Sequence, residues 1–478
     1  MGLKPGEAGT QDGDRQLTSF RLFFFYLPES SMLRRFRFQL VVVSRFLSEI
    51  GQEGVFYGSL VTVAADGSAA QASLIGIAKV LPGATLGLVG GAVADALPRR
   101  VALGVGYVLQ AVFCIVLPLV FGTGFGILLI LVLIVSTLNQ LIGPSEKSVI
   151  PLVSSREEIS SAASILSLSD SIATGLGMAV VAPIVLVAFG VKALFIVCGG
   201  FLIFAAIRIF ALPVRKNITV KDALQKLDLT ELDLGFRSAL RWLVGWPAVL
   251  TLIMVGMVVT VLASVTETLG PSYVAEVLHE DPAKTVYVFA PAGFGALVAL
   301  AIAPKVIDNM GERWGAAIAV FMMSLGLFTL AFVDFLAPIL GPISPMNVVR
   351  LFGLEPTDEI LAASFVSMFT GFAVSMSSIS VQTYVNRRVP MVQQGRVFGL
   401  QSLLGNAAAL VPLLLAGFIA AAFSIEMVMF VTPWMVISGV FLLLILTNRW
   451  AGEEPMSKGE VLSSFWTEPS GEDPPDTG

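Results

Sequence analysis

The sequence predicts an all-α polytopic membrane protein, with twelve transmembrane helices in two pseudo-symmetric six-helix bundles. Three observations carry this. The 478 residues are 56% hydrophobic and only 13% charged, against about 25% charged in soluble proteins, and apolar runs of bilayer-crossing length recur along the chain. Lys and Arg gather on alternate loops. A short charged loop occurs twice, at matching places in the two halves.

The predicted spans of the first half are 39–64, 70–93, 99–121, 125–145, 160–188 and 191–212, and those of the second are 248–270, 285–304, 314–336, 360–385, 396–422 and 426–447. This divides the chain into a cytoplasmic arm (1–37), a first bundle (38–212), a linker (213–247), a second bundle (248–447) and a tail (448–478). The arm opens on polar residues and has no apolar stretch of spanning length before span 1, so no cleavable signal is expected. The linker alternates Lys221, Lys226, Arg237 and Arg241 with Leu224, Leu227, Leu234 and Trp242, a pattern that suits an amphipathic helix on the inner membrane surface and equally a solvated connector. The tail is rich in Pro, Gly, Ser and acids, a composition that resists compact folding.

Of 29 Lys and Arg residues, 24 fall on one side of this topology and three, Lys192, Lys284 and Arg350, on the other. The positive-inside bias then makes both termini cytoplasmic in a cell (inner) membrane. Arg45 and Lys79 remain inside predicted spans. Cys114 and Cys198 both lie in apolar segments and the single histidine, His279, lies in a predicted loop, so neither metal nor cofactor chemistry is expected. The chain carries no phosphate-binding loop, which argues against ATP hydrolysis, and its pattern gives no reason to expect a nucleic-acid partner. Charge-poor membrane helices without such a cluster make an enzyme a poor reading.

The repeated loop reads Gly91-Ala-Val-Ala-Asp95-Ala-Leu-Pro-Arg99-Arg100 in the first copy and Pro304-Lys305-Val-Ile-Asp308-Asn-Met-Gly311-Glu312-Arg313 in the second. The two aspartates are 213 residues apart. A second repeat places Pro151 in the loop after span 4 and Pro390 in the loop after span 10, the latter followed by Gly395-Arg396-Val-Phe398-Gly399. Their offset exceeds the first by 26 residues, which the long outer loop 337–359 absorbs. Two six-helix halves with these loops resemble the major facilitator superfamily, over about residues 38–447. Gly91, Asp95, Arg99 and Arg100 match that family's cytoplasmic gating loop, while Ala96 and Pro98 depart from it. Asp308, Gly311 and Arg313 match in the second copy. The loop around Pro390 and Arg396 is similar to the branch containing bacterial siderophore and macrolide exporters. The resemblance implies alternating access, a small-molecule substrate, protons as coupling ion, and a monomer. It gives Asp95, Arg99, Arg100, Asp308, Gly311, Arg313 and Arg396 the task of clasping the halves on the cytoplasmic side. Physically, Asp95 can face a helix N-terminus, and Arg99 and Arg100 can bind carboxylates or lipid phosphates.

Within span 1, Arg45, Glu49 and Glu53 recur every four residues and share one helical face. Both glutamates fall within about 3 Å of the midplane at 1.5 Å of rise per residue, and Lys79 of span 2 lies at the depth of Glu53. Buried charges are costly and must pair or face a cavity. Glu49 can pair with Arg45 and Glu53 with Lys79, although equal depth leaves helix rotation, and so the second contact, open. Arg45, Glu49, Glu53, Lys79 and Asp170 become proton-coupling candidates, with a structural ion-pair cluster as the blander reading. Glu267 and Asp334 are placed near outer helix ends. The second half is nearly uncharged in its core. There Ser367, Thr370, Met376, Gln382, Gln401 and Asn406, with Phe56 of span 1, are expected to line an adaptable cavity for an apolar or amphipathic solute, although helix packing uses the same residue types. The preferred function is proton-coupled efflux of such a molecule. Uptake of a nutrient or lysolipid, and a transporter-like sensor or scaffold, are the alternatives.

Overall fold

A computed structural model of the protein describes residues 36–65, 68–96, 99–153, 159–212, 247–352, 356–389 and 391–450. The arm before residue 36, the linker 213–246 and the tail from 451 lie outside the described residues. Among the described residues every regular element is helical. The first half comprises α1 (Phe36–Ala65), α2 (Ala69–Ala96), α3 (Arg99–Phe121), α4 (Phe125–Val153), α5 (Ile159–Leu176) and α6 (Ala182–Phe210), with a π-helical stretch Gly177–Val181 joining α5 to α6. The second half comprises α7 (Pro247–Glu276), α8 (Thr285–Phe289), α9 (Pro291–Met310), α10 (Glu312–Ala331), α11 (Val333–Leu340), α12 (Asp358–Arg388), α13 (Met391–Ala422) and α14 (Ile425–Trp450).

The break between spans 5 and 6 falls inside α6, at Gly190, with φ 80° and ψ 175°. A Cβ there would meet nothing within 4 Å, so glycine serves the backbone conformation and not packing. Spans 8 and 9 also differ from the expectation in detail: α8 and α9 together form span 8, span 9 divides into α10 and α11, and the outer loop after it includes a 3-10 helix Pro345–Phe352. Eight helices among the described residues are long and apolar enough to cross a membrane, and Phe125–Gln140 and Ile425–Gly439 are shorter apolar helices. The helix α1 is not among them, because Arg45, Glu49 and Glu53 interrupt its apolar run.

In the first half α1 lies along α6, α2 along α4, and α3 against α4 and α6. In the second half α12 packs on α9 and α10, and α7 contacts α10, α12, α13 and α14. The halves meet mainly where α2 runs along α13, with further contacts from α7 to α1 and α2. The symmetry-related meeting, α8 against the π-helical stretch, is much slighter.

Packing in the second half is close enough to bring backbones together. A Cβ on Gly371 of α12 would fall 2.0 Å from the carbonyl oxygen of Ala292 in α9. Small residues permit such approach where lipid supplies no hydrophobic drive between helices. Gly371→Ala is expected to destabilise the protein by about 1–3 kcal/mol through overpacking, read as a lower thermal midpoint in detergent. Gly200→Ala in α6, where a Cβ meets nothing within 4 Å, is the control and should leave the midpoint unchanged or slightly raised. Equal behaviour of the two variants would contradict this account of the α9–α12 contact.

Candidate functional site

The charged face of α1 is divided between two clusters. At the first, Arg45 leaves its own helix. Its Nη2 lies 2.5 Å from Asp170 Oδ2 on α5, and its Nε lies 3.5 Å from Glu146 Oε2 on α4. Tyr107 on α3 donates a hydrogen bond to the other oxygen of Glu146. Glu49 accepts from the Thr174 hydroxyl at 3.2 Å. The expected Arg45–Glu49 pair is thus corrected. A cation one turn N-terminal to an acid is the poorer orientation for an i, i+4 pair, and two carboxylates on neighbouring helices offer better geometry in a water-poor interior. Four helices are tied together at this point.

The second cluster joins the halves. Lys79 Nζ on α2 is 2.9 Å from Glu53 Oε2 on α1 and 2.7 Å from Glu267 Oε1 on α7. The same nitrogen sits 4.0 Å from the centroid of the Phe56 ring, within cation–π range. The depth match between Glu53 and Lys79 read from sequence therefore corresponds to contact. The placement of Glu267 at an outer helix end is corrected: α7 continues to Glu276, so Glu267 lies more than two turns inside the helix.

This cluster lines a cavity of about 230 Å³ between the halves, with Gln52, Phe56, Asn139, Gln140, Thr268 and Asn406 around it. Gln52 also donates to Gln110 at 3.4 Å, and Gln110 to the Val135 carbonyl at 3.0 Å. Polar groups on α1, α2, α4, α7 and α13 converge on a space suited to a hydrogen-bonding solute.

The sequence-derived cavity residues divide. Phe56 and Asn406 line the cavity. Ser367, Thr370 and Met376 do not; all are buried within the second bundle. The Ser367 hydroxyl donates to the Ser364 carbonyl and that of Thr370 to the Ser367 carbonyl, each at 2.8 Å. The close approach of α12 to α9 and α10 turns this face into helix packing. Gln382 is exposed and donates to the Ser378 hydroxyl at 3.2 Å, and Gln401 is half-buried outside the cavity lining.

For the charged loops, the side chains of Gly91, Asp95, Arg99 and Arg396 lie outside the described residues. Arg100 donates to the Phe210 carbonyl at the end of α6 and lies 5.9 Å from the Phe210 ring. It thus satisfies a helix C-terminus. In the second copy, Gly311, at φ 87°, makes the turn from α9 to α10. Arg387 of α12 then bridges Asp308 at 3.2 Å and Glu312 at 2.9 Å. These contacts lie within one half.

Glu146, Tyr107, Gln110 and Thr174, with Gln52, Asn139, Gln140 and Thr268 of the cavity lining, belong to the site and are not among the candidates the sequence offers. Glu146 was assigned to a loop because span 4 was ended at residue 145, whereas α4 runs to Val153. The signal was present, since Asn139 and Glu146 are seven residues apart and share a helical face. Among the described residues no group of three or more His, Cys, Asp or Glu side chains is placed to hold a metal ion.

A family model described as Major Facilitator Superfamily matches residues 41–354. The chain belongs to the major facilitator superfamily. Two solved structures, of a point mutant of the nucleoside transporter NupG and of NupG itself, share its fold. They superpose with TM-scores of 0.64 and 0.61 at 13% and 12% identity, each covering 86% of this chain, and 99% and 98% of theirs. No curated protein matches significantly. This major facilitator protein is a multi-pass membrane transporter of the secondary type, with a small-molecule substrate and not a catalytic reaction as its business.

Lys79 holds two acids at once, so its removal should be worse than removal of either acid. Lys79→Met is expected to lower stability by about 1–3 kcal/mol. This is less than the 3–5 kcal/mol typical of a broken fully buried pair, because the lysine side chain is 29% exposed. Adding Glu267→Gln should recover part of the thermal midpoint. A double variant that melts no higher than Lys79→Met would show that neutralising these carboxylates is not the role of the lysine.

Proposed function

We propose that this protein is a proton-coupled exporter of amphipathic small molecules, working as a monomer by alternating access with both termini in the cytoplasm and all twelve helices crossing the cell (inner) membrane. The observation that carries the proposal is the bridge from Lys79 to Glu53 in one half and Glu267 in the other, inside the cavity between them. Rocking of the halves must break it, so the partner of a cavity carboxylate changes with the transport cycle. The Arg45, Asp170, Glu146 and Glu49 cluster supplies a second set of acids in the same half. The cavity combines the Phe56 ring with amide side chains, which suits a solute with both an apolar and a polar part. The cytoplasmic orientation rests on the Lys and Arg asymmetry, and the exporter branch on the loop around Pro390 and Arg396.

The coupling assignment is tested in proteoliposomes under an imposed proton gradient, with a substrate found by challenging deletion cells with toxic compounds. Glu49→Gln and Glu53→Gln are expected to abolish gradient-driven flux. Unchanged flux in both variants refutes coupling through α1. The amides of Gln52, Asn139, Gln140 and Asn406 also favour a second reading, uptake of a polar nutrient of the kind named for the nucleoside transporters of similar fold. Uptake of labelled nucleosides by cells expressing the protein, absent from deletion cells, would select it over export.

A further inference from the structure

We infer that Glu53, Glu267 and the Phe56 ring form an ammonium site that selects organic amines as substrate, and that Lys79 is a tethered ammonium holding the place of the substrate's own. The inference rests on the transporter reading above and names the substrate class of its cavity.

The lining contains three charged residues, Glu53, Lys79 and Glu267, so its formal charge is −1 with the lysine in place. A monocationic solute that takes the lysine's place keeps one positive charge between the two carboxylates, whereas a neutral solute or an anion there leaves both uncompensated. Excess charge is costly in a space walled by low-dielectric helices. The surroundings of the lysine nitrogen also form an ammonium site: two carboxylate oxygens at 2.9 and 2.7 Å and an aromatic face at 4.0 Å. The aromatic face favours an organic cation over a strongly hydrated inorganic one. One acid comes from each half, so whatever cation occupies the site holds the halves together.

Lys79 can occupy this site only while α1, α2 and α7 stay together. A solute ammonium that displaces it takes over the bridge and frees the lysine. The tethered group is therefore an internal competitor, and an internal competitor reduces apparent affinity by the fraction of time that the site is free. A lysine in place nine-tenths of the time weakens amine binding about tenfold.

The test measures equilibrium binding to the full chain in lipid nanodiscs, without a gradient, using a panel of primary amines each paired with the alcohol that replaces its ammonium by hydroxyl, beginning with 2-phenylethylamine and 2-phenylethanol. Amines are expected to bind in preference to their alcohols, and Lys79→Gln to tighten amine binding about tenfold while leaving the alcohols unchanged. Glu267→Gln should weaken amine binding at least tenfold and serves as the independent arm if Lys79→Gln fails to elute as a folded monomer. The proposal is overturned if no amine in the panel outcompetes its alcohol, if sodium chloride displaces amines at equal concentration, or if both Lys79→Gln and Glu267→Gln leave the amine preference intact. Binding without a gradient separates this outcome from the coupling proposal: gradient-driven flux with no amine preference overturns the amine site alone, and amine preference without gradient-driven flux overturns the coupling alone.

Discussion

An ionised side chain in the middle of a helical bundle must find an opposite charge, because hydrocarbon and packed helix offer it nothing else. Five such side chains on the first two spans and α5, namely Arg45, Glu49, Glu53, Lys79 and Asp170, set the terms for much of this structure. They draw α3, α4, α5 and α7 toward α1 and α2 through Tyr107, Glu146, Thr174 and Glu267. The same requirement makes the contact between the halves breakable. A bridge through one lysine nitrogen depends on distance and water access in a way that an apolar seam does not. The bridging group therefore stands where a transporter needs a cavity.

The halves answer the membrane in different ways. The first satisfies its buried charges with one another. The second has few to satisfy and is held by close backbone approach, as at Gly371 against Ala292. Among its charged contacts, that of Arg387 with Asp308 and Glu312 stands at the helix ends, with Arg387 and Asp308 exposed. In keeping with this asymmetry, serines and threonines of α12 bond to carbonyls of their own helix, and the cavity is lined by α7, by Asn406 on α13 and by the first half. The second half contributes one charge to the cavity, and it does so from α7, which contacts both α1 and α2.

Much of the fold was legible in the sequence, since it follows from apolar length and from where Lys and Arg are tolerated. The observed helices start and stop within a few residues of expectation in most cases, and the Gly190 break falls between predicted spans 5 and 6. The largest errors were helix ends: α4 and α7 extend beyond their apolar cores. A hydropathy boundary marks where the chain turns polar, and a polar residue can still be helical and face inward. Glu146 and Glu267 were misplaced for that single reason.

For the site, residue type and spacing identified which charges were buried, because a period of four places Arg45, Glu49 and Glu53 on one face and rise per residue fixes their depth. Depth made Glu53 and Lys79 candidates for a pair, and the structure brings them into contact. Helix rotation and neighbour identity did not follow, and they decided the rest: Arg45 turned to Asp170 and Glu146, Glu267 joined Lys79, and Ser367, Thr370 and Met376 faced away from the cavity. One-dimensional periodicity specifies a helix face and the height of a residue along the membrane normal. Which neighbour that face meets is set by packing between helices far apart in sequence, and only the tertiary structure contains it.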